Sequence, residues 1–250
     1  MLIQTLVLIC ILLAILVTFS KPKRIESKKI KYLPAYTRSH VEDYDTIIYD
    51  SIRNNAELAC FSSTLTSQSN VLDVGSGTGH HVNELRQKGV NAVGLDNSSE
   101  MILRSKQKYP HVYIHGDVLN MSTFPSESFS HITCFYYTLY YLKHKKHFFQ
   151  NIHHWLIPGG FLILHVSTKW MYGPTSTLSG SIQYTSHHTN RSHRECIIKR
   201  GISQCYEHTI YMESEDRVVE LAKQAGFIVQ SIYPYVLPYR HQNVYVFKRQ

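Results

Sequence analysis

The sequence predicts a doubly wound α/β domain with a mostly parallel sheet, preceded by a single transmembrane helix. Three observations lead to this prediction. Short apolar, strand-like runs alternate with helix-like segments between residues 70 and 166, and a glycine-rich loop follows the first run. An almost continuously apolar segment fills residues 1–20. Apolar strands separated by helices are typical of a parallel sheet that is covered on both faces.

The segment at residues 1–20 contains no charged side chain. As a helix it would reach roughly 30 Å, which is the thickness of a bilayer's hydrocarbon core. A cleaved signal peptide is the alternative, and it would have a basic region before the apolar run and small residues at its cleavage site. Because no Lys or Arg precedes Lys21 and no such small pair lies near Ser20, we interpret residues 1–20 as an uncleaved anchor.

Residues 21–40 are predicted to form a basic juxtamembrane linker, in which Pro34 interrupts any helix. Within it, residues 21–31 hold six bases and one acid, and so supply +5 of the formal net charge of +8. Lys and Arg beside a span stay on the cytoplasmic side, so we expect residues 41–250 to face the cytosol. A nucleic-acid partner would need a basic face in the folded part, whereas this cluster suits anionic lipid headgroups.

The elements of the domain follow in order along the chain. Residues 41–66 repeat apolar side chains mostly with the period of a helix, which predicts one or two amphipathic helices. Strands are predicted at 71–74, 92–96, 112–117, 131–136 and 161–166, and helices at 80–88, 98–108 and 143–156. A helix from 215 ends at Gly226, and the two β-rich runs after it predict an antiparallel C-terminal edge strand.

The strongest chemical signal is the segment VLDVGSGTGHHVNEL, which starts at Val71. Gly75, Gly77 and Gly79 follow the first strand directly, and glycine lets a loop turn tightly and lets a ligand approach the backbone. A dinucleotide site is the competing interpretation. Its fingerprint needs a glycine where this chain has His80, and Asp73 would repel a pyrophosphate but suits an ammonium group.

Acidic residues end the next two strands. Asp96 lies 21 residues after Gly75, and a carboxylate there can accept hydrogen bonds from both hydroxyls of a ribose. The alternative role for Asp96 is to cap the next helix, although Asn97 or Ser98 could do that instead. Asp117 ends the third strand and could accept from an adenine amino group. All these residues fall at one edge of the sheet, where open α/β folds bind ligands.

The motifs DVGSGTG, GLDNSSEM, GDVLN and WLIPGGFLIL occur in order, and they resemble those of class I S-adenosylmethionine-dependent methyltransferases, closest to the small-molecule type that includes quinone-biosynthesis enzymes. The resemblance implies a Rossmann-like doubly wound sheet and S-adenosyl-L-methionine as cofactor. It implies that the loop Gly75–Gly79 with Asp73 holds the methionine part, Asp96 the ribose, and Asp117 with the backbone of Val118 the adenine. Strand 131–136 would lie beneath the sulfonium.

The methyl acceptor is not identified by these motifs. A small-molecule or membrane-associated acceptor is expected, and the alternatives are a protein methyltransferase or a catalytically silent scaffold. The chain lacks the Asn/Asp-Pro-Pro-aromatic tetrapeptide of enzymes that methylate base or amide nitrogens. Instead, residues 134–142 contain four tyrosines, which either form an aromatic wall beside a sulfonium or pack on a helix at i and i+4.

Residues 167–214 fit the core fold poorly and are predicted to be an insertion that caps the substrate pocket. Residues 201–212 have enough β-formers for one extra strand within it. His165, His187 and His188 are candidate general bases, but in-line methyl transfer does not require one, so no catalytic residue is assigned. The histidines around 144–154 lack thiolate or carboxylate partners, so no metal site is predicted. The five cysteines include no CxxC pair and are expected to be buried thiols.

Overall fold

The computed structural model describes residues 32–167, 176–179, 181–189, 191–237 and 241–250. The predicted anchor at residues 1–20 and the basic segment 21–31 lie outside the described residues. Among the helices that are described, none is long and apolar enough to cross a membrane. Residues 32–250 form one compact unit by their contacts, and the description below concerns that unit.

The elements are named in chain order. The helices are α1 (Arg38–Ile48), α2 (Ser51–Ala59), α3 (His80–Gln87), α4 (Ser99–Lys108), α5 (Thr138–Tyr141), α6 (Lys145–Trp155) and α7 (Glu215–Gln224). The strands are β1 (Tyr32–Pro34), β2 (Asn70–Val74), β3 (Asn91–Asp96), β4 (Val112–His115), β5 (Phe129–Cys134), β6 (Leu156–Ser167), β7 (Ser176–Ser179), β8 (Ile182–His188), β9 (Ser192–Lys199), β10 (Ile202–Thr209), β11 (Phe227–Pro234) and β12 (Gln242–Arg249).

The main sheet has seven strands in the order β11-β12-β6-β5-β2-β3-β4. The neighbours from β6 to β4 run parallel, and β12 runs antiparallel to both β6 and β11. The doubly wound, mostly parallel sheet is therefore confirmed. The two C-terminal strands pair antiparallel at the sheet edge, as expected, but the edge strand is β11, because β12 returns between β6 and β11. A hairpin can dock through either of its strands, and sequence pattern alone does not say which one.

Helices cover both faces of this sheet. On one face α6 and α7 bury Phe148, Phe149 and Trp155 against strand residues such as Leu72. On the other face α2, α3 and α4 bury a second cluster that includes Leu85. Successive strand residues point to opposite faces, which explains why strands buried on both sides read as continuous apolar runs.

A second, five-stranded sheet, called the cap sheet below, has the order β1-β10-β9-β8-β7. Strand β1 pairs parallel with β10, and the other pairs are antiparallel. Residues 32–40 are therefore not a linker as expected, because β1 joins this sheet and α1 begins at Arg38. The insertion contains β7 to β10 where the sequence predicted one strand. Tyr184, Tyr206 and Tyr140 are buried together beneath it with Ile48.

The cysteines divide into two groups. Cys60 and Cys134 are buried free thiols, as expected. Cys196 and Cys205 instead form a disulfide, so the expectation of buried thiols is wrong for this pair. The two residues are directly opposite each other on β9 and β10. The sequence separation of nine residues alone does not predict that register. The fifth cysteine, Cys10, lies outside the described residues.

Candidate active site

A cavity of about 490 Å³ lies at the carboxyl ends of β2, β3 and β5. It is lined by the glycine-rich loop, by the residues that follow β3 and β4, by α1 and by the segment between β5 and α6. Among the predicted cofactor residues, Asp73, Gly75, Gly77, Asp96, Asp117 and Val118 line this cavity, and Gly79 does not. The expectation that residues at the carboxyl ends of parallel strands lie together is therefore met by residues from three separate parts of the sequence.

The glycine-rich loop has a left-handed backbone at Gly75 and Gly77. A Cβ on Gly75 would overlap the side chain of Thr138, so no other residue fits there. The N–H groups of Gly75 and Ser76 donate to Leu95 O on β3 at 2.8 and 3.1 Å. The loop is therefore tied to the neighbouring strand and contributes a smooth, close backbone surface rather than a row of unpaired donors. Gly79 is needed for packing, because a Cβ there would strike Tyr113.

Asp73 ends β2 inside the cavity and is 2% exposed. Its Oδ1 accepts a hydrogen bond from Thr133 Oγ1 at 2.7 Å, whereas its Oδ2 has no hydrogen-bond partner among the described residues. Burial raises the pKa of this carboxyl above its usual value. A buried carboxylate oxygen without a donor is costly, and a ligand ammonium would relieve that cost.

Asp96 ends β3 and is held by two backbone donors. Gly77 N donates to its Oδ2 and Ser98 N donates to its Oδ1, both at 2.9 Å. Each carboxylate oxygen can accept a second hydrogen bond, so both can still meet a ligand hydroxyl. The cap of α4 is Ser98, whose side chain accepts from Met101 N. The alternative role of Asp96 as the helix cap is therefore wrong.

Asp117 and Val118 follow β4 at the far end of the cavity. The exposed Asp117 accepts from Leu119 N through Oδ1 at 2.8 Å, which fixes a turn and leaves Oδ2 for another partner. Val118 is buried, and its carbonyl accepts from Asn151 Nδ2 at 2.9 Å. A carboxylate edge beside an apolar side chain is suited to an adenine ring.

Six tyrosines line the cavity, and Tyr49 among them stacks on His80. We call the other five the tyrosine wall. They are Tyr36, Tyr44, Tyr136, Tyr137 and Tyr141. Three of the four tyrosines at 134–142 line the cavity, and their placement beside a sulfonium stays a prediction. Tyr140 instead turns away and donates to Ser167 O at 2.7 Å. Tyr36 and Tyr44 could not be predicted from the sequence, because they precede the main sheet and follow none of its strands.

A charged cluster fastens α1 to the loop beside the wall. Asp45 accepts from Thr78 Oγ1 and from Lys108 Nζ, and it lies 3.1 Å from His80 Nε2. Burial alone would raise the pKa of Asp45, but these hydrogen bonds hold the pKa far below its usual value. The cluster joins α1, the loop and α4, which lie up to 63 residues apart. Asp45, Thr78 and His80 of this cluster also line the cavity.

Of the histidines predicted as general bases, His165 and His187 do not line the cavity. His165 is fully buried, and burial lowers its pKa to about 3. His187 is exposed on β8, and the side chain of His188 lies outside the described residues. His80 and His81 line the cavity instead. Burial alone would lower the pKa of His81, but its hydrogen bond with Glu57 and the nearby charge of Asp73 raise the pKa overall.

Comparison with known proteins identifies the class. Residues 72–164 match the family model described as a methyltransferase domain. The dTDP-4-amino-2,3,4,6-tetradeoxy-D-glucose N,N-dimethyltransferase of Saccharopolyspora spinosa is 27% identical over 166 residues, which cover 62% of this chain and 64% of that protein. The chain therefore spans less than two thirds of the length of this curated relative.

Two solved structures show the same fold. The CcbJ methyltransferase from Streptomyces caelestis gives a TM-score of 0.72 at 17% identity and covers 86% of this chain and 98% of its own. CalS10, an amino pentose methyltransferase from Micromonospora echinaspora, gives 0.63 at 18% identity, with 80% and 92% covered. These identities are too low to carry more than the fold.

The fold, the cavity and the domain match define an S-adenosylmethionine-dependent methyltransferase domain. By this domain match and the motifs that line the cavity, S-adenosylmethionine is its cofactor. The class and the cofactor predicted from the motifs are thus confirmed. The cavity fits this cofactor. Asp73 Oδ2 lacks a hydrogen-bond donor among the described residues and lies 4.0 Å from His81 Nδ1, so it can accept from an ammonium. The Cβ-free surface at Gly75 and Gly77 admits close approach. The roles of the individual cofactor residues stay predictions.

Proposed function

We propose that this chain methylates an amino group of a small molecule, with an amino sugar carried on a nucleotide as the preferred acceptor. The observation that carries the proposal is the tyrosine wall, which lines the same cavity as the predicted cofactor residues. Aromatic faces attract cations such as the sulfonium and the methylated ammonium product. The curated relative from Saccharopolyspora spinosa, whose name describes an amino-sugar N,N-dimethyltransferase, supports the same acceptor class.

The division of labour within the cavity follows from its geometry. When bound, S-adenosylmethionine supplies a methyl group that its positive sulfur has already activated. Asp73 would hold the ammonium, Asp96 the ribose, and Asp117 with Val118 the adenine. The tyrosine wall would orient the acceptor amine and exclude water. Holding two partners in the right geometry supplies much of the rate enhancement of such a displacement.

The acceptor test uses the full chain in detergent with methyl-labelled S-adenosylmethionine. The probe is a dTDP-4-amino-dideoxy sugar, and the matched control is the same sugar with a hydroxyl at C4. We expect label only in the amine, with one or two methyl groups per molecule by mass spectrometry. Label in the hydroxyl sugar would contradict the proposed acceptor atom. Label in protein alone would favour the protein methyltransferase alternative.

We also propose that residues 1–20 anchor the domain to a membrane, that residues 21–31 contact anionic lipid, and that the domain faces the cytosol. The apolar run and its basic flank support this arrangement. An anchored domain would also meet acceptors that are attached to lipid. The Cys196–Cys205 disulfide opposes the orientation, because disulfides persist mainly in oxidising compartments. Glycosylation and protease accessibility of the full chain distinguish a cytosolic domain from a lumenal one.

A further inference from the structure

A buried carboxylate, Glu195, lies behind the tyrosine wall and is surrounded by three histidines. Glu195 and His193 lie two residues apart on β9 and therefore share a face, and His193 is directly opposite His208 on β10. His40 approaches the same carboxylate from α1. All four side chains are at most 5% exposed. The cap sheet and α1 thus bring together a cluster that the sequence does not reveal.

Glu195 is ionised in this cluster. Its Oε1 lies 2.6 Å from His208 Nε2 and 3.2 Å from His40 Nε2, and its Oε2 accepts from Tyr184 at 3.0 Å. Burial alone would raise the pKa of Glu195, but the hydrogen bonds from the histidines hold the pKa well below its usual value. The cluster therefore contains a fixed negative charge at neutral pH.

The hydrogen bonds also fix where the histidine protons lie. Tyr36 N donates to His40 Nδ1 at 3.0 Å, so in neutral His40 the proton is on Nε2 and points at Glu195. His208 likewise donates from Nε2 to Glu195, which leaves the basic lone pair on its Nδ1. Burial lowers the pKa of His208, so its ring is neutral near pH 7. A carboxylate that orients a neutral imidazole in this way makes it a proton acceptor.

His208 reaches the cavity through the tyrosine wall. Its ring centroid lies 5.1 Å from that of Tyr36 and 5.5 Å from that of Tyr141. The hydroxyls of these two tyrosines are hydrogen-bonded to each other, and burial raises the pKa of both well above the usual value. Each tyrosine is therefore protonated at neutral pH. It can give up its hydroxyl proton only if it accepts a proton from another group at the same time.

A divalent cation is the competing interpretation of this cluster. Ligand atoms of His40, Glu195 and His208 lie within 4.8 Å of one another, which is close enough for one ion. A cation would need the lone pair on His40 Nε2. The N–H of Tyr36 places the proton on that atom instead, so the geometry favours hydrogen bonds over coordination.

We propose that Glu195 and His208 form a proton-accepting pair for the methyl acceptor, with Tyr141 as the relay to the cavity. The proposal rests on the proposed amine methylation. Methyl transfer leaves the acceptor nitrogen positively charged. One N–H bond of that nitrogen breaks as its proton passes to Tyr141 Oη, and the proton of Tyr141 passes to His208 Nδ1. The resulting imidazolium is stabilised by the adjacent carboxylate of Glu195. A second methylation requires this step, because a protonated amine has no lone pair.

The first measurement concerns the protein alone. Nitrogen NMR of the full chain labelled with ¹⁵N-histidine should show His208 protonated at Nε2, with a pKa below the ordinary histidine value. A resonance protonated at Nδ1 would overturn the pair, and so would bound zinc found by metal analysis after purification without chelator. Because this measurement needs no methyl acceptor, it tests the Glu195–His208 pair even if the proposed acceptor is wrong.

The second measurement is the pH profile of amine methylation by His208→Gln. The glutamine amide can keep the hydrogen bond to Glu195 but has no basic nitrogen, so kcat at pH 7 should fall at least tenfold. The loss should shrink as pH rises and the amine loses its proton to solvent, and the dimethyl product should fall more than the monomethyl product. Affinity for S-adenosylmethionine should stay within twofold of wild type.

The control is Glu207→Gln, which removes a carboxylate from the outer face of the same strand, where it pairs with Arg194. This variant should keep the wild-type profile. A loss in His208→Gln that is equal at every pH would show a structural role and overturn the proposal. Glu195→Gln with an unchanged profile would overturn it as well. An inactive wild type with a correct His208 tautomer would instead refute the amino-sugar acceptor.

Discussion

Asp73 shows how one buried side chain links the chemistry of the site to pH. Its Oδ2 lacks a donor among the described residues, and burial raises the pKa of its carboxyl. An ammonium bound beside it would favour the charged form, so binding below the raised pKa must displace a proton. The affinity for S-adenosylmethionine should therefore fall as pH falls through the raised pKa, and not as pH rises.

The variant Asp73→Asn tests this assignment. It should weaken S-adenosylmethionine binding at pH 7.5 about tenfold or more, since a hydrogen bond to a charged group contributes about 1.5–3 kcal/mol. The acid-side loss of affinity should be smaller in the variant than in wild type by calorimetry between pH 5 and 8. The exposed carboxyl variant Asp216→Asn, which lies outside the cavity, is the control for a general charge effect. Equal pH dependence in Asp73→Asn and wild type would remove the ammonium role.

Asp96→Ala is the corresponding test of the ribose position. The change removes acceptors for Gly77 N and Ser98 N as well as for two ribose hydroxyls. Binding of S-adenosylmethionine should weaken tenfold or more, with a smaller change in the neighbouring variant Asn97→Ala. If the Asp96→Ala protein folds and binds with unchanged affinity, the ribose assignment is wrong.

The site residues at the ends of core strands could be predicted from the sequence, whereas those that α1 and the cap sheet contribute could not. Asp73, Asp96 and Asp117 follow apolar runs, and parallel topology alone places them at one edge. Tyr36 and Glu195 reach the site through β1, α1 and β9, whose positions depend on pairings between segments far apart in sequence, such as that of β1 with β10. No local pattern encodes such a pairing, so the proposed proton-accepting pair became visible only in the structure.

At the scale of elements, the cap sheet is the main difference between the expectation and the structure. Its strands are rich in Ser, Thr and His, and their pattern is weaker than that of the core strands. In β9 buried side chains alternate with partly exposed ones from His193 to Ile197, as expected for a strand with one face on the core. Polar inward-facing residues such as Glu195 hide this alternation in the sequence, because hydrophobicity no longer marks the buried face.

The disulfide gives the cap sheet a testable constraint. Cys196 and Cys205 close a loop with a sequence separation of 9, for which loop entropy predicts about 2–3 kcal/mol of stabilisation. Replacing both by serine should lower the free energy of unfolding by that amount in denaturant titrations without reductant. Cofactor affinity should stay within twofold, because neither cysteine lines the cavity. An identical stability of wild type with and without reductant would show that the pair is not oxidised in the purified protein.

For the whole molecule, two buried histidines predict acid sensitivity. Burial lowers the pKa of His131 to about 4 and that of His165 to about 3. Below about pH 6.5 the unfolded chain binds protons that the folded chain does not, so stability is full above that pH and falls as pH decreases. Each histidine contributes a slope of up to about 1.4 kcal/mol per pH unit.

His131→Gln should reduce this slope between about pH 6 and 4 in denaturant unfolding, because it removes one of the buried histidines whose pKa is lowered. The exposed His147→Gln is the control and should leave the slope unchanged. A wild-type free energy of unfolding that stays constant from pH 7 to 4 would contradict the neutral, buried state of both histidines.

The parallel core could be predicted because its central strands, such as β2 and β5, are buried on both faces and read as apolar runs. The order β11-β12-β6 could not, because both strands of the terminal hairpin have similar patterns. The membrane arrangement is a separate matter, since it depends on residues 1–31, and it still awaits an experiment. Three Asn-x-Ser sequons at Asn97, Asn120 and Asn190 provide the means.

The last prediction concerns the side of the membrane on which the domain lies. Asn97 and Asn120 are exposed and close to Asp96 and Asp117, so glycans on them would obstruct the cavity. We expect the full chain, expressed with eukaryotic membranes, to stay unglycosylated and in the membrane pellet at high pH, and to be digested by protease added to the cytosolic side. The control is the triple variant Asn97→Gln, Asn120→Gln and Asn190→Gln, which should migrate like wild type. A glycosidase-sensitive mass shift in wild type alone would place the domain in the lumen, where the Cys196–Cys205 disulfide would persist. Release of a soluble fragment that begins near Lys21 would instead identify residues 1–20 as a signal peptide.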